Sequence, residues 1–210
     1  MQLASKLNRD DITGLVLCGG LGRRMGGLDK GLQLYQGQSL VAHALQRLRG
    51  QVGCLLVNAN RHLDDYRAFG EPVCTDTLPD HPGPLAGWLS GLSNCATPYL
   101  VSVPCDTPHL PLDLVERLAR ALLAAEADLA VAATSADGAL RAQPVFCLMK
   151  AGLRGSLAAA LAGGERRVTA WTAEQRHVQV VFEDAAAFFN ANTLADLQHG
   201  PASTVAHPRT

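Results

Sequence analysis

The sequence contains no C-x-x-C pair: its six cysteines, Cys18, Cys54, Cys74, Cys95, Cys105 and Cys147, are scattered along 210 residues. That spacing excludes the usual zinc and dithiol-redox motifs, and most of these thiols fall in apolar runs, where they act as small hydrophobes. Basic charge is not in excess either. Eighteen Lys and Arg stand against 19 Asp and Glu, a formal net charge of -1, which removes the electrostatic footprint of a nucleic-acid binder. No uninterrupted apolar run approaches the ~18 residues of a membrane span. The opening residues MQLASKLNRDD lack the apolar centre of a secretory signal. Lysine is scarce, with Lys6, Lys30 and Lys150 the only three. What is present excludes disorder, since 48% of the residues are hydrophobic and supply a core. A reduced, cytoplasmic globular protein is expected, with neither nucleic acid nor membrane as partner.

Short aliphatic runs alternate with longer helical patterns, which predicts an α/β domain with a mainly parallel sheet. Strands are expected at 14–18, 52–57, 73–74, 99–103, 129–133, 145–149 and 178–182. Helices are expected after a Ser39 cap, over 64–69, from Pro84, from Pro111, and over 153–161 and 194–198. Leu40, Ala44, Leu45 and Leu48 share one helical face, as do Leu114, Val115, Leu118 and Leu122. No linker divides the chain. One domain is expected over 1–200, with a flexible tail over 201–210.

In open parallel sheets, ligands bind beyond the carboxyl ends of the strands. Here those ends carry a glycine loop, then Asn58, Asp76 and Asp106. The loop GGLGRRMGGLDKG, residues 19–31, sets Arg23, Arg24 and Lys30 against one Asp29. Glycines let backbone N–H groups approach an anion closely, which suits phosphate. The loop fits neither the Walker A spacing nor the dinucleotide fingerprint G-x-G-x-x-G, so a dehydrogenase is disfavoured. Lys30 is a phosphate ligand or a solvated loop lysine. Asp106 is a single-carboxylate Mg²⁺ anchor or the cap of the turn that follows it. Glu165-Arg166-Arg167 either reaches an anionic phosphate or is a charged helix start in solvent, and Asn192 or Thr193 suits the cap of the last helix. The seven histidines are dispersed and form no evident Ser-His-Asp or Cys-His set.

LCGGLGRRMGGLDKGL, residues 17–32, resembles the L-A-G-G-x-x-x-R-M-G-G-x-D-K-G-L signature of molybdenum cofactor guanylyltransferases. The resemblance continues through VNANRH, CTDTLPDHPGPLAG, VPCDTP, GERRV and FFNANTLADL, from about residue 14 to 197. Cys18 stands where the family usually has Ala. The resemblance implies a three-layer, Rossmann-like nucleotidyltransferase fold of the α/β class with a mostly parallel central sheet. It implies a nucleotide half over about 14–110 and an acceptor half over about 111–199. The implied reaction is Mg²⁺-dependent, in-line transfer of GMP from GTP to the molybdenum-molybdopterin cofactor, with release of pyrophosphate.

Carried over residue by residue, Leu17, Cys18, Gly19, Gly20, Lys30, Asn58, Asp76 and Asp106 would bind GTP. Asp106 would hold the metal, and Lys30, Asp106 and Arg24 would act in catalysis. Arg24, Arg166, Asn190 and Asn192 would meet the acceptor. A monomer is expected, served by cofactor biosynthesis and insertion proteins or cofactor chaperones, for which the segments near Gly163 and Trp171 are candidate docking places. The nearest rival is a CTP-using relative of the same build, which carries L-A-A-G at this position. Gly20 and the string from Gly26 to Lys30 favour guanine. A non-catalytic nucleotide-sensing domain is the rival from another class, disfavoured because Lys30 and Asp106 are both present.

Overall fold

Val16 and Leu15 point to opposite sides of the same strand, and both are fully buried. This is the mark of a central strand covered on two faces. The computed structural model describes residues 7–19, 28–78, 83–136 and 139–199. In chain order these form β1 (Ile12–Leu17), β2 (Leu34–Tyr35), β3 (Gln38–Ser39), α1 (Leu40–Arg49), β4 (Cys54–Asn58), α2 (Leu63–Arg67), β5 (Val73–Cys74) and α3 (Pro84–Asn94). There follow β6 (Tyr99–Pro104), α4 (Leu114–Ala124), β7 (Leu129–Ala136), β8 (Ala139–Lys150), α5 (Arg154–Ala162), α6 (Val168–Ala173), β9 (His177–Phe182) and α7 (Leu194–His199).

Seven strands make one sheet in the order β5-β4-β1-β6-β8-β7-β9. All run in one direction except β8, which is antiparallel to both of its neighbours. On one face, α1 and α4 pack with Val16, Val101 and Val103; on the other, α3, α5 and α6 pack with Leu15, Leu100 and Met149. The expected three layers are therefore present.

Local chemistry explains the helices. The buried stripe of α1 is Leu40, Val41, Ala44, Leu45 and Leu48, spaced at the helical repeat. Ser39 occupies the position before it, but its side chain makes no capping bond. Pro84 opens α3, as expected. That helix lies so close to β1 that a Cβ on Gly91 would sit 2.5 Å from Leu15 Cδ2. Pro111 does not open α4. Residues 111–113 form a turn in which Leu114 N–H reaches the Pro111 carbonyl at 3.3 Å. Gln51 then closes this helix start, accepting from Val115 N–H and donating to the Pro111 carbonyl, each at 3.0 Å.

Three features differ from the sequence pattern. The runs at 129–133 and 145–149 belong to longer strands that pair with each other as an antiparallel hairpin. Their register jumps from Val131–Cys147 to Ala132–Gln143, leaving Pro144, which has no N–H, unopposed where a ladder bond would be lost anyway. Because Ser102 pairs with Cys147, the outer part of this hairpin lies beyond the carboxyl end of β6. The short hairpin β2–β3 and the six-residue α6 are additional elements. Trp171, on α6, is fully buried and meets Trp88 edge-on at 5.8 Å between centroids, so its side chain belongs to the core. The expected tail at 201–210 lies outside the described residues.

Candidate active site

The chain leaves β1 on one side to make β4 and β5, then crosses back to make β6 on the other side. A crevice opens at such a switch point, beyond the strand ends. The residues after β1 and β6 meet there. Cys105 N–H reaches the Leu17 carbonyl at 3.1 Å, and Cys18 N–H reaches the Asn58 carbonyl at 2.8 Å. These two bonds extend the ladder by one step, so the Cys18 N–H and Leu17 carbonyl are both engaged within the protein. The Cys18 side chain is buried beside Cys105, and burial pushes its thiol well up.

Lys30 and Asp106 are brought together as an ion pair, with their side chains 21% and 16% exposed. The same ammonium donates to Asn192 Oδ1 at 2.6 Å. The other oxygen of Asp106, Oδ1, is buried and has no hydrogen-bond partner among the described residues. A buried carboxylate oxygen without a donor is costly, and it is an atom that a cation would satisfy. Among the described residues, no group of three or more His, Cys, Asp and Glu gathers to hold a metal. A single carboxylate such as Asp106 suits Mg²⁺ when phosphates and water complete its shell.

Asn192 can reach Lys30 because it is not the cap of α7. Thr193 takes that role, its Oγ1 accepting from Asp196 N–H at 3.1 Å. Asp196 in turn accepts from the backbone N–H groups of both Asn192 and Thr193 at 2.8 Å. Asn190 accepts from Thr107 Oγ1 at 2.7 Å, and Ala191 N–H from the same segment donates to the Asp106 carbonyl at 2.9 Å. The segment before α7 is thus fastened to the end of β6.

A second cluster sits at the ends of β4 and β5. Asn58 Nδ2 donates to one oxygen of Asp76 at 2.9 Å, and Asn60 Nδ2 to the other at 2.8 Å. Asn60 Oδ1 also accepts from Asp76 N–H at 2.8 Å. Asn60 is the residue the sequence pattern passed over; its spacing two positions after Asn58 was the available signal. Gly19 and Gly87 make room for this cluster. A Cβ on Gly19 would lie 3.1 Å from Asn60 Nδ2, and one on Gly87 2.7 Å from Asn58 Oδ1.

Arg166 is not drawn into either cluster. It is exposed after α5, with Nη1 on the carbonyls of Leu161 and Glu165 at 2.8 Å. Arg24 and Gly20 lie outside the described residues.

The family model of the MobA-like NTP transferase domain matches residues 14–180. The chain belongs to this family. It is 60% identical, over 93% of its own length, to a protein of Bordetella petrii named molybdenum cofactor guanylyltransferase, all of which is covered. A Cupriavidus necator protein of the same name is 56% identical, with 90% of this chain and 96% of that protein covered. Among solved structures, molybdopterin-guanine dinucleotide biosynthesis protein A from Archaeoglobus fulgidus superposes with a TM-score of 0.69 at 21% identity, covering 89% of this chain and 95% of that one. A 4-diphosphocytidyl-2C-methyl-D-erythritol synthase from Anaerococcus prevotii gives 0.70 at 10% identity, covering 90% and 94%. At those identities the two structures speak for the fold alone. Family membership makes the chain a nucleotidyltransferase.

Proposed function

We propose that the chain transfers GMP from GTP to the terminal phosphate of the molybdenum-molybdopterin cofactor, releasing pyrophosphate. The observation that carries this reading is the Lys30 ammonium held between Asp106, at the end of β6, and Asn192, ahead of α7. One cation thereby touches a residue from each half of the chain, at the place where a nucleotide phosphate and an incoming acceptor phosphate have to converge. The names of relatives at 51–60% identity supply the nucleotide and the acceptor.

The acceptor is a phosphate that is ionised at neutral pH, so the reaction needs no strong general base. It needs positioning and charge neutralisation. One acceptor oxygen forms a bond to the α-phosphorus of GTP, the bridge to the β-phosphate breaks, and pyrophosphate leaves with that electron pair. Lys30 moves from Asp106 onto the triphosphate. Asp106 Oδ1 would hold Mg²⁺, which when bound neutralises phosphate charge. Asn58 and Asp76, braced by Asn60, hold the nucleoside, and the backbone from Leu17 to Gly20 borders the base. Asn190 and Asn192 face the acceptor, with Arg24 and Arg166 the cationic candidates to meet its phosphate. The acceptor is handed over and the product collected by cofactor biosynthesis and insertion proteins.

Titration calorimetry with GTP, CTP and ATP in the presence of Mg²⁺ tests the nucleotide. GTP should bind at least about ten-fold more tightly than either competitor. A preference for CTP would contradict the guanine assignment.

A further inference from the structure

Asp29 immediately precedes Lys30 and is itself buried, 7% exposed. A buried carboxylate persists only with donors on it. Its donor is the hydroxyl of Tyr66, a fully buried residue of α2 that lies 37 positions further along the chain. We infer that Tyr66 is a positioning residue for nucleotide binding, acting through the Asp29 carboxylate to set the turn that presents Lys30 to the phosphates. This rests on Lys30 being the phosphate ligand.

The turn is fixed from two sides. On the α1 side its backbone is pinned: Val41 N–H donates to the Gly31 carbonyl and Leu40 N–H to the Gln33 carbonyl, both at 2.9 Å. Gln33 closes the turn on itself, with N–H on the Lys30 carbonyl at 3.1 Å and Nε2 on the Asp29 carbonyl at 2.8 Å. On the strand side, the anchor is the Asp29 side chain. Gly31 packs directly against the hydroxyl that holds it: a Cβ there would collide with the Tyr66 hydroxyl and come within 3.3 Å of Cys105 Sγ. Cys105 adjoins Asp106, so the turn lies against the strand end that carries the carboxylate receiving Lys30. Burial, and then the neighbouring Cys18, Cys105 and Asp29, push the Tyr66 phenol far up. It therefore remains an O–H donor wherever the protein is folded. Without that donor, the buried carboxylate is drawn toward water, and the Lys30 turn moves with it.

A double-mutant cycle on Mg²⁺-GTP affinity separates positioning from mere packing. Tyr66→Phe keeps the ring and removes only the donor. It should weaken GTP binding about ten-fold, the scale of a hydrogen bond to a charged group. Asp29→Ala should match it, whereas Asp29→Asn, which retains an acceptor for the hydroxyl, should recover most of the affinity. In a Lys30→Ala background, Tyr66→Phe should cost less than about two-fold, because the group it positions is gone. Equal losses in both backgrounds, or a loss not rescued by Asp29→Asn, would overturn the inference. If Lys30→Ala alone leaves affinity unchanged, the phosphate assignment itself fails, and the role of Tyr66 falls with it.

Discussion

The ammonium of Lys30 hydrogen-bonds the side-chain carbonyl of Asn192 at 2.6 Å, joining residues 162 positions apart. The bond ties the glycine loop to the segment before α7, while Asp106 holds the same ammonium from β6. Asn192→Ala should lower turnover about ten-fold, the scale of a charge-assisted hydrogen bond. It should leave the thermal midpoint nearly unchanged, because Thr193 caps α7 and Asp196 engages residue 192 only through its backbone N–H. Asn192→Asp should impair turnover further by holding Lys30 in place with a second carboxylate. Steady-state kinetics beside thermal melts check both. An Asn192→Asp enzyme more active than Asn192→Ala would count against Lys30 transferring to phosphate.

Asp106 carries a buried oxygen with no hydrogen-bond partner among the described residues. Replacing it with Ala removes an unfavourable buried group as well as the proposed metal anchor. The Asp106→Ala protein, which also loses the ion pair to Lys30, should still fold and lose at least about 100-fold in Mg²⁺-dependent turnover. Unchanged activity would refute the metal assignment.

Asn60 braces Asp76 with one bond to the carboxylate and one from the backbone N–H. Asn60→Ala should weaken GTP binding about ten-fold, with CTP and ATP affinity measured alongside. Wild-type GTP affinity in this variant would show that Asp76 does not need its brace to hold the nucleoside.

Away from the site, Asp128 accepts two bonds from Arg176 and one from Lys150, all at 2.8–2.9 Å. The Arg176 guanidinium, and then the Lys150 ammonium, hold its carboxyl down at about 2, against an ordinary 3.8. A pKa depressed in the folded state adds stability above the unfolded value, and that stability is lost as pH falls through the folded value. Asp128→Asn should therefore melt below the parent protein at pH 7. The gap should narrow below about pH 4 and close near pH 2. A gap that stays constant across this range would contradict the assignment.

Strand ends are legible in the sequence because buried parallel strands are short aliphatic runs that stop at glycine, Asn or Asp. That pattern alone puts Lys30, Asn58, Asp76 and Asp106 at one edge of the sheet, and the fold brings Lys30 onto Asp106 and Asn58 onto Asp76. The reversal of β8 was not legible, since an apolar run carries no direction and the bulge at Pro144 interrupts its alternation. The hairpin β2–β3 is only two residues on each strand, too short for any period. Ser39 shows the opposite limit: its place before α1 was readable from residue type, its idle side chain was not. The contacts from Tyr66 to Asp29 and from Asn60 to Asp76 depend on tertiary approach, and only a folded chain displays them.

The most direct test combines GTP, Mg²⁺ and molybdopterin-loaded acceptor with the purified protein and follows pyrophosphate together with the phosphorus stereochemistry of the transferred GMP. Stoichiometric pyrophosphate and dinucleotide product, with inversion at phosphorus, is the expected result. Retention of configuration, an isolable GMP-protein adduct, or pyrophosphate release with CTP but not with GTP would contradict direct guanylyl transfer at the Lys30–Asp106 site.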